Sequence, residues 1–92
     1  MKEGGKMKVR YIGETFYNGF GLTNGKIYEC TDIDEIAELL EVIDDEGEDA
    51  LYPIDNPRPL DGSSKGGKWE IVEDEEGKLA EIFRKLNLID LC

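Results

Sequence analysis

The sequence contains no histidine, only two cysteines and no long apolar run, and each absence removes a class of function. Without histidine, the chain lacks the most common general base and the most common transition-metal ligand. Cys30 and Cys92 do not form a disulfide framework of regular spacing, which fits a reducing compartment. Because no stretch reaches transmembrane length and the start has no signal-peptide core, the sequence predicts a cytoplasmic protein.

Basic residues are also scarce, because 11 Lys and Arg face 22 Asp and Glu, for a net charge of -11. The excess lies in the middle of the chain, where residues 29–62 carry thirteen acids against Arg58 alone. Such a density repels phosphate, so the sequence predicts no binding to nucleic acid or to an anionic membrane. Two interpretations remain: a solvated acidic face, or a surface that attracts a basic partner or mimics nucleic acid.

The apolar pattern predicts a single small domain that is mainly β. Alternation with a period of two predicts strands at 7–12, 26–31 and 69–73, and a hairpin at 39–53. Residues 1–6 are polar and glycine-containing and are expected to form a flexible leader. Residues 33–40 fit either a helix, with Asp32 as its cap, or a loop followed by a strand from Glu38, and one turn of helix at 33–36 before the strand is compatible with both patterns. The return strand favours the second interpretation.

Two apolar segments stand outside these strands and are the candidates for contact with a partner. The connection at 14–25 is rich in glycine yet aromatic, so it must fold back on the body or bind something. Residues 75–92 have the spacing of an amphipathic helix, and Gly77 favours a start at Lys78. Whether this helix packs on its own chain or on another is open. The possible partner-binding residues are Phe16, Tyr17, Phe20, Leu79, Ile82, Phe83 and Leu86.

Three motifs carry a resemblance to known proteins: G-K-I-Y-E-C (25–30), L-L-E-V-I-D-D-E-G-E-D-A-L-Y-P (39–53) and W-E-I-V-E (69–73). With them the chain resembles small bacterial and phage proteins that have a Src-homology-3-like barrel. The resemblance implies a five-stranded barrel over residues 7–74, with the helix at 75–92 outside the motifs but in the same domain. It implies no particular function. Polyproline recognition is not expected, because there is no Trp-Trp pair and Glu14 is the only acid in the first loop.

No pattern in the chain predicts catalysis, a cofactor or a small-molecule substrate. The acids of the hairpin turn are contiguous, whereas a calcium loop places its oxygen ligands at alternate positions, so no metal site is expected. Neither cysteine has a histidine partner that would activate it. The sequence therefore predicts a non-enzymatic protein-interaction module whose partner is another protein or a second copy of the chain. The alternative is an acidic regulator that binds a basic, DNA-associated protein.

Overall fold

The computed structural model describes residues 6–16, 21–58 and 64–88. They form six elements, in the order β1 (Met7–Gly13), β2 (Ile27–Asp34), β3 (Leu39–Ile43), β4 (Asp49–Pro53), β5 (Gly67–Asp74) and α1 (Lys78–Lys85). All of the predicted strands are present, and the predicted hairpin consists of β3 and β4. Residues 1–5 of the predicted leader at 1–6 lie outside the described residues, and so does the end of the predicted helix, at 89–92.

The five strands form one antiparallel sheet in the order β4-β3-β2-β1-β5. The mainly β class with a single C-terminal helix is therefore confirmed. A closed barrel is not confirmed, since no backbone ladder joins β4 to β5 in the part of the chain that the structure describes. The two edge strands approach each other through a side chain instead: the indole Nε1 of Trp69 in β5 donates to the carbonyl oxygen of Pro53 in β4, at 3.2 Å.

The core is made by alternate strand residues, by the first connection and by the helix. Tyr28 and Cys30 face inward as predicted, with 3% and 4% of their surface exposed. The other buried apolar members are Val9, Tyr11, Phe16, Leu22, Leu40, Val42, Tyr52, Ile54, Trp69, Leu79, Ile82 and Phe83. At about 25 cal/mol per Å² of apolar surface, this burial is the main source of stability in so small a domain.

The helical interpretation of residues 33–40 is wrong. β2 continues to Asp34, which pairs with Leu39 of β3, and a tight turn at 35–38 joins the two strands. The Asp34 carboxylate accepts the N–H of Ala37 at 3.0 Å, and Glu38 adopts a left-handed φ of 61°. A side-chain bond to a nearby N–H stabilises a turn as readily as a helix start, so the local signal was ambiguous.

The helix is shorter than the predicted 75–92, because it begins at Lys78 and ends at Lys85. Gly77 has a left-handed φ of 75°, which a helix cannot continue through, and the same holds for Asn87 with a φ of 62°. The Asp74 carboxylate accepts the N–H groups of Leu79 and Ala80, at 3.1 and 2.9 Å. It therefore satisfies two of the free amides that every helix start exposes.

Candidate interaction surface

The structure puts most of the predicted partner-binding residues inside the molecule. Phe16 is 5% exposed, and Leu79, Ile82 and Phe83 are at most 4% exposed. Leu86 is half-buried and packs against the same core. The helix thus packs on its own sheet. A partner could reach Leu79, Ile82 and Phe83 only if the helix separated from the sheet. Tyr17 and Phe20 lie outside the described residues.

The aromatic residues form a cluster that fills the space between the two edge strands. Trp69 contacts Tyr11, Tyr28 and Tyr52 edge to face, at centroid distances of 5.9, 6.5 and 6.4 Å. Phe16, from the first connection, contacts Tyr11 and Tyr52, both at 5.9 Å. Such geometry is favoured by aromatic pairs in cores. Because all five rings are buried, the cluster offers no open aromatic groove to a peptide.

Two acids of the hairpin turn belong to this buried architecture. One oxygen of Asp45 accepts hydrogen bonds from the Tyr28 hydroxyl at 2.9 Å and from Lys26 Nζ at 2.7 Å. The other accepts one from the Thr23 hydroxyl at 2.8 Å. Burial acts to raise the pKa of Asp45, but these hydrogen bonds outweigh it and leave the pKa lowered. The same side chain therefore joins the hairpin turn to the connection between β1 and β2.

Asp44 holds the turn itself. One of its oxygens accepts the N–H of Glu46 at 3.0 Å, and the other accepts the Tyr52 hydroxyl at 3.2 Å. Burial, followed by the negative charge of Asp44, raises the pKa of Tyr52 above its usual value. Burial likewise raises the pKa of Tyr28, to about 12, and the Asp45 carboxylate raises it further. Both phenols therefore stay protonated at neutral pH and donate to the carboxylates.

The outer face of β2, β3 and β4 has a different kind of acid, one that points into solvent. Asp32 of β2 lies opposite Glu41 of β3, which lies opposite Leu51 of β4. In the neighbouring rows Asp34 faces Leu39, which faces Pro53, and Ile43 faces Asp49. These three strands contain no Lys or Arg. We call this surface, with Glu29 at its β2 end, the acidic face.

The outer face of β1 and β5 is balanced in charge, which makes the acidic face stand out. Arg10 in β1 pairs with Glu70 in β5 at 2.8 Å, and Lys8 pairs with Glu73 at 3.8 Å. On the acidic face no such pair forms within β2, β3 and β4. It also carries Leu51, which is 56% exposed. The excess of acids at 29–62 predicted a charged surface, and the alternation of residues 39–53 points Glu41 and Leu51 outward, but the row that joins them to Asp32 was not predicted.

The thiol of Cys30 and the possible metal ligands complete the chemistry of the described residues. Cys30 is buried and lies 3.4 Å from the carbonyl oxygen of Asp32, and burial raises the pKa of its thiol to about 11. A thiol that stays protonated is a poor nucleophile. Across residues 6–16, 21–58 and 64–88, no three His, Cys, Asp or Glu groups converge closely enough to hold a metal ion. None of the helices described is long and apolar enough to cross a membrane.

Comparisons of the chain with protein-family models, with curated proteins and with solved structures find no match. The interpretation of the acidic face therefore rests on its geometry and charge.

Proposed function

We propose that this chain is a non-enzymatic protein-interaction module that binds a basic partner protein with the acidic face. The observation that carries the proposal is a set of carboxylates that form no ion pair with a described residue and that alternate with exposed or half-exposed apolar side chains, on strands that contain no basic residue. Charge would bring the partner in quickly and set its orientation, and apolar contacts around Leu51 would supply affinity.

A second copy of the chain is a poor partner for this face. A symmetric dimer would bring the same carboxylates of both copies together, and like charges across an interface cost free energy. The partner that complements the face therefore has basic side chains spaced around an apolar patch.

The test compares two variants that remove the same kinds of group from opposite ends of the sheet. Glu41→Gln with Leu51→Ser alters the acidic face, and Glu70→Gln with Val72→Ser alters β5, where Val72 is 42% exposed. Each labelled protein is used to recover partners from a cell lysate at low and at high salt. We expect one basic protein that the wild type and the β5 variant recover at low salt and the acidic-face variant does not. Equal recovery by both variants would refute the proposal.

An acidic regulator that occupies the DNA-binding surface of a basic protein is the second candidate. It is favoured by the uniform sign of charge along β2, β3 and β4. The two candidates differ in what the apolar residues do, because imitation of a phosphate backbone needs charge alone. Retained binding by Leu51→Ser, together with displacement of the partner by duplex DNA, would favour the regulator. Loss of binding by Leu51→Ser, without displacement by DNA, would favour the general interaction module.

A further inference from the structure

A cleft of about 600 Å³ lies between β2, the start of β1 and the start of α1. Its apolar lining consists of Met7, Cys30 and Ile33, and the rest of the lining contains five carboxylates and two lysines. Pockets of roughly 300–1,000 Å³ are the size that binds small ligands and anchor side chains of partners. The cleft is therefore large enough to take part in recognition.

We propose that the cleft binds an extended basic segment of the partner protein, with the aliphatic stem of a Lys or Arg side chain against its apolar lining. This inference rests on the proposed function, and it names the part of the partner that is recognised. Long basic side chains bury their methylene groups on apolar surface while the charged end stays among polar groups. The cleft offers both environments within one space.

The charges of the cleft favour a cation. Of its two lysines, Lys78 already pairs with a carboxylate of the cleft, that of Glu76, at 3.2 Å. Glu29 and Glu81 form no ion pair with any of the described residues. The thiol of Cys30 is neutral at ordinary pH, because burial raises its pKa to about 11, so it counts with the apolar lining. Glu35 also pairs with a lysine, Lys85, at 3.6 Å. The three cleft carboxylates that form no ion pair with a described residue, those of Glu29, Asp32 and Glu81, still outnumber Lys6 and leave the cleft negative.

The spacing of the carboxylates favours an elongated cation over a compact one. No three of the described acidic groups converge on a point where a metal ion could sit. The carboxylates instead come from two parts of the chain, since Glu29, Asp32 and Glu35 belong to β2 and the turn after it, and Glu76 and Glu81 belong to the turn before α1 and to α1. A chain with repeated positive charges would meet them one after another, as a peptide with spaced Lys or Arg residues does.

The cleft is continuous with the acidic face. Asp32 lines the cleft and also lies opposite Glu41, the central residue of that face. A break in the strand register between Cys30 and Asp32, at Thr31, turns β2 at this point. A peptide that entered the cleft would therefore leave it over Glu41 and Leu51. One partner segment can use both surfaces.

The proposal is tested by nuclear magnetic resonance titration of the full, ¹⁵N-labelled chain with defined probes. The first probe is a capped pentapeptide of alternating Lys and Leu, and the others are capped pentalysine and spermine. We expect the alternating peptide to bind more tightly than spermine and to shift the amide signals of Cys30, Thr31 and Ile33. Glu29→Gln with Glu81→Gln should weaken its binding roughly five- to tenfold, as the loss of two partly exposed charge contacts predicts.

The matched control is Glu46→Gln with Glu48→Gln, which removes two charges from the hairpin turn, outside the cleft lining. It should change affinity by less than about twofold. Equal weakening by both pairs would overturn the cleft site, and so would tightest binding by spermine. Shifts confined to β3 and β4 would overturn the cleft but leave the proposed function standing. No shift with any probe would count against both.

Discussion

Asp45→Asn tests whether an acid of the hairpin turn is required by the fold or only adds to the negative charge. The chain has a net charge of -11, so removal of one negative charge relieves repulsion and would by itself stabilise it. We expect the opposite result at this position. The Asp45 side chain is 11% exposed and accepts hydrogen bonds from Lys26, Tyr28 and Thr23. An asparagine has one acceptor oxygen and an amide that only donates, so at least one bond is lost.

The expected loss follows from these contacts. A hydrogen bond to a charged group contributes roughly 1.5–3 kcal/mol, whereas a half-exposed ion pair such as Lys26–Asp45 contributes at most about 1 kcal/mol. Relief of surface repulsion stays within about 0.5 kcal/mol. The balance is a loss of about 2 kcal/mol. In a domain of this size, such a loss lowers the melting temperature by roughly 8–16 °C.

The assay is urea unfolding followed by the fluorescence of Trp69, the single tryptophan, which lies in the core. Glu46→Gln is the matched control, because it removes one charge from the same turn at an exposed side chain. It should change the free energy of unfolding by no more than about 0.5 kcal/mol. A double-variant cycle with Tyr28→Phe should give a coupling of about 1 kcal/mol, because the two side chains share a hydrogen bond.

The effect of Asp45 should also depend on pH, in a direction fixed by its lowered pKa. Its ordinary value is 3.8, and the folded-state value lies below that. The contribution of the carboxylate is therefore complete above the unfolded pKa and is lost as the pH falls through the folded pKa. The stability difference between wild type and Asp45→Asn should shrink below about pH 4. Two results would refute the reasoning: equal free energies of unfolding for Asp45→Asn and Glu46→Gln at pH 7, or a difference between wild type and Asp45→Asn that does not change with pH.

Three further outcomes test the packing and the surface charge. Leu79→Ala, at a fully buried position, should lower the free energy of unfolding by about 2–5 kcal/mol. Leu51→Ala, at a position 56% exposed, should change it by no more than about 0.5 kcal/mol. Similar losses for the two variants in urea unfolding would contradict the packing of α1 on the sheet. Gly66→Ala should lower the melting temperature more than Gly25→Ala. Both glycines have a positive φ, but only a Cβ at position 66 would meet a neighbouring atom, the carbonyl oxygen of Pro57, at 2.5 Å. Equal shifts in melting temperature would mean that the backbone around Gly66 moves to make room for the Cβ. Moderate salt should raise the melting temperature by screening the acidic face, and a flat or falling response would mean that these charges are compensated.

The strands were predictable because each carries its own alternating pattern. Leu40 and Val42 point inward in β3, and Glu41 between them points outward, as the period of two requires. The hairpin register follows from the same pattern together with the turn around Gly47. Leu51 could therefore have been placed opposite Glu41 from the sequence, and the acidic face was within reach of that reasoning.

The roles of the individual acids were not predictable, because they depend on contacts that are distant in sequence. Asp45 reaches Thr23, Lys26 and Tyr28, which are 22, 19 and 17 residues away. Nothing local distinguishes it from Glu46, its neighbour in the same acidic run. The turn at 35–38 escaped prediction for a related reason: the pairing of β2 with β3 decides it, and the side chain of Asp34 suits a helix start as well as a turn.

The acids of the hairpin fall into two groups: those whose hydrogen bonds stabilise the fold, and those that make no such contact. Asp44 and Asp45 are explained by the fold, since both accept hydrogen bonds from buried tyrosines. Glu41 and Asp49 are not, because Glu and Asp are poor strand formers and these two face outward on strands without a basic neighbour. A β-branched polar residue such as Thr suits such strand positions better than Glu or Asp. The contact with a basic partner that we propose would account for their arrangement.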